Sequence, residues 1–178
     1  TGIGREGYLT ELGTYTVKSK AASPTWVVPE SIRQEDPTLP ASVPPGPDNP
    51  LGDYALRLSR RAYAIHGTNK PWGIGRRVSH GCISLYPEDI GALYPMVPVG
   101  ATVKVIYEPV KYGWANGLFW VQAFGDFENR GGNPHMKIME ELLYHQATMG
   151  PLRIDREALE RALEEKTGVP TVVPRPAE

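Results

Sequence analysis

A single cysteine, Cys82, in a chain of 178 residues leaves no partner for an internal disulfide. Neither a stapled mini-fold nor a redox compartment can therefore be read from pairing. A chain of this length buries a core without staples and fits one domain, or one domain with a modest appendage. Long apolar runs are also missing: none approaches the roughly 18–20 residues that a membrane-crossing helix needs. No basic-then-apolar leader opens the chain, as expected of a mature or trimmed form if the protein is exported. Excess charge of one sign is absent too. Lys and Arg total 19 against 20 Asp and Glu, a net charge of −1, and no basic stripe stands out, which argues against nucleic acid as a partner.

What the chain does have is proline and glycine, 18 and 19 of them. Pro29, Pro37, Pro40, Pro44, Pro45, Pro47 and Pro50 remove ladder donors and stop helices. Residues 29–50 are expected to form an extended, largely irregular loop packed over one domain, a length usually kept for function or linkage. Around it, residues 15–18, 25–28, 54–58, 63–65, 102–107 and 118–124 are rich in β-formers or alternate with period two, and read as strands. Pro87 followed by Glu88 and Asp89 signals a short helix ending near Pro95. The glycine-rich residues 1–7 read as a loop and not a phosphate cradle, since no Gly-Lys-Ser/Thr follows. Residues 135–147 carry apolar positions at helical spacing, and Asp155 can cap a second helix through Lys166, with Gly168 ending it. Pro170, Pro174 and Pro176 suggest a frayed end. The organisation expected is a mainly β body over 1–110 and a small α/β appendage over 111–178, with one or more strands and two helices.

Chemistry concentrates at His66-Gly67-Thr68 and Ser79-His80-Gly81-Cys82. A thiol needs a nearby base to become a nucleophile at neutral pH, and imidazole is the usual one. His66 follows directly on an expected strand, and a glycine-rich connection with Gly73, Gly75 and Gly81 lets Cys82 fold back towards it. Glycines beside a nucleophile also let backbone N–H groups approach a developing oxyanion; the donors would come from Cys82 and from Gly81 or His80. Other readings of the same residues stand beside this one. His66 is also what a hydrogen-bonded structural histidine at a strand end looks like, and Cys82 what a small core residue looks like. His66, His80 and Cys82 are all zinc-competent, though no HExxH or CxxC pattern supports a metal site. His135 and His145, on the appendage helix, read as surface residues.

The run Ile65-His66-Gly67-Thr68-Asn69, the gap, and Ser79-His80-Gly81-Cys82-Ile83 closely resemble the catalytic domain of the L,D-transpeptidase family, the YkuD domain. The family pattern is His-Gly or His-Ser, a gap, then Ser or Thr followed by His-Gly-Cys, and this chain carries it in full. Glu11-Leu12-Gly13-Thr14-Tyr15 resembles the family's Thr-Pro-x-Gly-x-aromatic strand start. Residues 39–52 resemble the extended loop of the ErfK/YbiS-like branch, and residues 98–103 the closing strand of the domain. The resemblance covers residues 2–110 and, more loosely, the rest.

The resemblance implies a fold of two mixed sheets. It implies Cys82 as nucleophile, His66 as base, and Gly67 as the residue whose carbonyl fixes the imidazole tautomer. His80 and Gly81 fall in the oxyanion loop, which Ser79 braces. Asn69, Trp72, Arg76 and Arg77 are candidate substrate contacts. Ser84 stands where relatives of this branch have arginine, which bears on substrate binding, and Glu11 replaces the usual proline, expected to matter only to local rigidity. Relatives also have strands before the segment that begins at Thr1, so a piece of the sheet, and with it a wall-binding module, is expected to precede it. The implied reaction is acyl transfer on a peptidoglycan tetrapeptide stem in the periplasm or cell envelope, with no metal or organic cofactor. D-Ala leaves, and the acceptor is an amine of a second stem (a 3-3 cross-link) or of an outer-membrane lipoprotein. Carbapenem-type lactams would acylate Cys82 by the same route. The alternatives are an L,D-carboxypeptidase or amidase that uses water, and a weakly catalytic module that binds peptidoglycan.

Overall fold

The computed structural model describes residues 1–60, 62–150 and 154–173. Two units, Thr1–Ile106 and Tyr107–Glu178, each carry a hydrophobic core of their own. The frayed end expected from Pro170 does not begin there, since Thr171–Val173 pair as a strand with residues 119–121, and Pro174 and Pro176 lie outside the described residues.

The first unit opens with β1 (Ile3–Gly4) and the ten-residue β2 (Gly13–Ala22), followed by β3 (Trp26–Val27), α1 (Glu30–Glu35) and β4 (Ser42–Val43). Then come β5 (Tyr54–Leu58), β6 (Ala64–His66), a 3-10 turn at Pro71–Gly73, β7 (Arg77–Ser79) and β8 (Ile83–Ser84). Helix α2 (Pro87–Met96) and β9 (Thr102–Val105) complete it. Mixed α/β describes this better than mainly β.

Strand β2 serves two ladders. Residues Gly13 to Thr16 pair antiparallel with β9, and Val17 to Ala22 with β5. The resulting five-stranded order is β8-β6-β5-β2-β9, antiparallel throughout except for the parallel β6–β8 pair. Two small pairs, β1–β7 parallel and β3–β4 antiparallel, stand apart from it. The unit thus carries several sheets where two mixed ones are expected from sequence. Helix α2 starts with Pro87 and two acids, and Ile90 drops from it into the core formed by Val17, Leu56 and Leu58. Fully burying side chains such as Leu56 and Ile90 contributes about 1.5–3 kcal/mol each. Pro95 lacks the N–H for another helical bond, and the helix stops one residue later, as expected.

The proline-rich excursion is more ordered than its composition predicts. It holds α1, the strand β4 that pairs with β3 just before it, and a buried staple, Asn49, which is 0% exposed. The Asn49 Nδ2 group donates to the carbonyls of Pro24 (2.8 Å), Val43 (3.2 Å) and Pro44 (3.1 Å), and Oδ1 accepts from the Leu51 N–H at 2.9 Å. A side-chain amide supplies the hydrogen bonds that prolines cannot, and the loop is closed on itself without a regular ladder.

The second unit is an antiparallel sheet ordered β10 (Val110–Ala115), β11 (Leu118–Ala123), β12 (Thr171–Val173), with helices α3 (Pro134–Met149) and α4 (Arg156–Glu165). Phe119, Val121 and Ala123 alternate along β11 onto one face, where Ile138 and Leu142 of α3 and Leu159 and Leu163 of α4 complete the core. The Asp155 side chain accepts from the Ala158 N–H at 3.0 Å, the cap expected from sequence. His135 pairs with Glu160, and His145 stacks on Trp114 at 3.9 Å. No helix among the described residues is long and apolar enough to cross a membrane.

Candidate active site

Strand β6 ends on His66, and β8 runs parallel beside it in the register Ile65↔Ile83 and His66↔Ser84. Paired residues of a parallel ladder share a face, and so do residues two apart along a strand. Cys82, immediately before β8, therefore falls on the His66 face as a diagonal neighbour. Arg57 of β5, paired with Ala64 in the sheet, acts on the titration of both groups.

The imidazole of His66 is buried, 7% exposed, and its Nδ1 lies 2.6 Å from the carbonyl oxygen of Gly67. A carbonyl only accepts, so Nδ1 carries the proton and Nε2 is left with its lone pair. Burial pushes the His66 pKa down, against the opposing effect of the Gly67 carbonyl, with the Arg57 charge adding to the depression. The Cys82 thiol is pushed up by burial, with a backbone hydrogen bond to Ala64 and the Arg57 charge opposing. Its Sγ donates to the Ala62 carbonyl at 3.3 Å. Both shifts favour a neutral thiol and a neutral imidazole over a preformed thiolate–imidazolium pair.

Gly67 is needed for space. A Cβ there would lie 3.2 Å from Cγ2 of Ile90 and 3.3 Å from the Leu51 carbonyl oxygen. Gly52, at φ +64°, is tighter still: a Cβ would meet the Thr68 amide nitrogen at 2.8 Å. The end of the proline-rich excursion thus packs directly on the His-Gly-Thr turn.

The cysteine loop is laced internally. Ser79 Oγ donates to the Cys82 carbonyl at 2.6 Å and accepts from the Gly81 N–H at 3.2 Å. Thr10 Oγ1 donates to the Gly81 carbonyl at 3.0 Å. Gly81 has φ +104°, and a Cβ there would meet the Tyr63 hydroxyl at 3.0 Å. The His80 ring turns away into a cluster: its Nε2 lies 2.9 Å from Arg5 Nη2 and 3.1 Å from Glu35 Oε2, with Tyr8 edge-on at 4.6 Å. Beside this loop runs a groove of about 430 Å³ lined by Gly7, Tyr8, Leu9, Glu11, Tyr63 and His80. Glu11, on the groove wall, also pairs with Arg60.

The other candidates scatter. Ser84 is buried at 8% exposure, its backbone paired both ways with Gly2 at 2.8 Å. Asn69 keeps a buried Oδ1 with no hydrogen-bond partner among the described residues. Trp72 is 68% exposed on the 3-10 turn, and Arg77 Nε reaches the Gly4 carbonyl at 3.5 Å. Among the described residues no three His, Cys, Asp or Glu side chains converge as metal ligands. Arg5, Tyr8, Thr10 and Glu35 are absent from the sequence expectation. Each reaches the cysteine loop from a distant stretch of chain, with no local pattern to mark it.

A thiol sharing a sheet face with an imidazole whose tautomer is fixed from behind is the arrangement of cysteine–histidine acyl-transfer proteins. Residues 1–105 match the family model described as YkuD, L,D-transpeptidase catalytic domain, and the chain belongs to that family. It is 51% identical over 115 residues to the probable L,D-transpeptidase YbiS of Escherichia coli strain K12, covering 62% of this chain and 37% of that protein. To the probable L,D-transpeptidase YcfS of the same strain it is 34% identical over 184 residues, covering 98% of this chain and 58% of the relative. Among solved structures, L,D-transpeptidase 3 from Mycobacterium tuberculosis is 32% identical, with a TM-score of 0.46, over 60% of this chain and 42% of that one. The chain thus spans less than two thirds of these relatives' length.

Proposed function

We propose that the chain is a peptidoglycan L,D-transpeptidase acting in the cell envelope, with Cys82 as nucleophile and His66 as base. The observation that carries the reading is the 2.6 Å contact of His66 Nδ1 with Gly67, which leaves Nε2 unprotonated on the face shared with Cys82. In this reading His66 Nε2 takes the thiol proton as Sγ attacks the carbonyl between diaminopimelate and the terminal D-Ala of a tetrapeptide stem. The tetrahedral intermediate collapses to a thioester, and His66 returns the proton to the departing D-Ala amine. An acceptor amine then attacks the thioester, His66 takes its proton, and the thiol is restored. The Cys82 N–H is the oxyanion donor. Ser79, Gly81 and His80 hold the loop that presents it, since the Gly81 N–H already bonds to Ser79 and the His80 ring is turned to Arg5 and Glu35.

The acceptor is an amine, either the side chain of a second diaminopimelate or the terminal lysine of an outer-membrane lipoprotein. Two measurements test this. Intact-mass spectrometry after incubation with a carbapenem is expected to show one adduct on the wild type and none on Cys82→Ala. An unmodified wild type whose thiol still reacts with an alkylating agent would sink the assignment. Incubation with tetrapeptide muropeptides should give cross-linked dimers. Tripeptides alone would mean that water is the acceptor, and a lipoprotein adduct would move the acceptor to lysine.

A further inference from the structure

Glu35 sits on the six-residue helix α1, inside the proline-rich excursion, and it is bound to the nucleophile loop by three side chains. Arg5 Nη2 lies 2.6 Å from Oε2, His80 Nε2 lies 3.1 Å from the same oxygen, and the Tyr8 hydroxyl donates to Oε1. The Tyr8 hydroxyl, then His80, hold the Glu35 carboxyl well below the usual carboxylate range, at about 2. The carboxylate is therefore charged wherever the protein works, and so is Arg5.

Nε2 of His80 faces both members of the ion pair but can serve only one at a time. Accepting from Arg5 at 2.9 Å needs an unprotonated Nε2, which puts the neutral ring's proton on Nδ1. Donating to Glu35 needs the proton on Nε2 instead. Either way the ring is pinned two residues from Cys82, on the stretch whose backbone must face the reacting carbonyl. The Arg5 backbone is fixed too, its N–H bonded to the Ser79 carbonyl at 2.9 Å.

We propose that Glu35 is a positioning residue for acyl transfer: through Arg5, Tyr8 and His80 it clips the excursion onto the Ser79–Cys82 loop and fixes the backbone that meets the oxyanion. The inference rests on the reading of Cys82 as nucleophile. Glu35 itself touches neither the thiol nor His66 and does not line the groove, so its removal is expected to act chiefly on the chemical step, through the backbone of the loop.

The test follows acylation of the full chain by the carbapenem meropenem, with the rate measured against concentration to separate reversible binding from the covalent step. For Glu35→Ala the maximal acylation rate is expected to fall about tenfold or more at unchanged apparent binding, as small displacements of a reacting geometry do. Glu35→Gln keeps one acceptor oxygen for Arg5 and can donate its amide N–H to the Tyr8 hydroxyl oxygen, so it should restore the rate to within about twofold of wild type. Both variants should melt close to wild type, which separates positioning from general loss of fold. A Glu35→Ala protein acylated at the wild-type rate overturns the proposal, as do Ala and Gln variants that are equally slow. If Glu35→Ala does not fold, Tyr8→Phe takes its place: a slower covalent step is expected, and an unchanged one overturns the clip. A wild type that meropenem leaves unmodified sinks the nucleophile assignment together with this inference, whereas an acylated wild type with an unslowed Glu35→Ala sinks the inference alone.

Discussion

Burial disfavours the charged form of His66 and a single carbonyl orients its ring, and both have measurable consequences. A depressed folded-state pKa means the base stays unprotonated below the ordinary imidazole value of about 6.5. Acylation by a lactam should hold its rate as pH drops through 6.5 and fall only on an acid limb below it. A limb centred at or above 6.5 would contradict this. The same shift sets a stability trend: the unfolded chain binds the extra proton first, so the first unit loses stability as pH falls below about 6.5. Gly67→Ala tests the aim. Its φ is ordinary, so the cost comes from the 3.2 and 3.3 Å contacts of the added Cβ with Ile90 and Leu51. Crowding of this kind destabilises by about 1–3 kcal/mol, and a displaced Gly67 carbonyl should lower the acylation rate more than it lowers affinity. The candidate pair Cys82 and His66 is legible in the sequence because its motif is local on each side of one gap. Glu35 is not, because its link to His80 joins a helix end in a proline-rich stretch to a loop 45 residues away, and no periodicity encodes such a contact.

At the scale of elements, legibility follows how far each segment carries its own reason to form. Strand β11 alternates Phe119, Val121 and Ala123 inward, and α4 has its Asp155 cap, so both stand where period and capping put them. Strand β10 has Gly113 in its middle and weak alternation; it exists because β11 pairs with it. Strand β3 falls within the strand expected at 25–28, but its partner β4 is hidden for a different reason. Prolines argue against a ladder there, and the buried Asn49 supplies the missing hydrogen bonds from outside any regular element. Asn49→Ala should therefore strip several buried backbone groups of partners at once. With about 1–3 kcal/mol for an unsatisfied buried group, we expect a loss of about 3 kcal/mol or more in urea denaturation. Protease cleavage between residues 30 and 48 should also become faster. A variant within about 0.5 kcal/mol of wild type, the range of an ordinary surface substitution, would show that the excursion is held by something else.

For the molecule as a whole, the division into two cores makes a sharper claim than the sequence alone could. Val17, Leu56, Leu58 and Ile90 build one, Phe119, Val121, Ile138, Leu142, Leu159 and Leu163 the other, and the thiol and imidazole belong wholly to the first. Two cores with separate membership predict two unfolding transitions where a single cooperative core would give one. Phe119 is 1% exposed at the centre of the second core, and truncating such a residue costs about 3–5 kcal/mol. Phe119→Ala in the full chain should pull down one transition of a calorimetric scan and leave the other in place, while lactam acylation of Cys82 at 25 °C keeps its wild-type rate. Leu56→Ala, at about 2–5 kcal/mol, should do the reverse: move the other transition and depress acylation. If Phe119→Ala shifts both transitions together and slows acylation in proportion, the two units share their stability, and the second is part of what holds the site in shape.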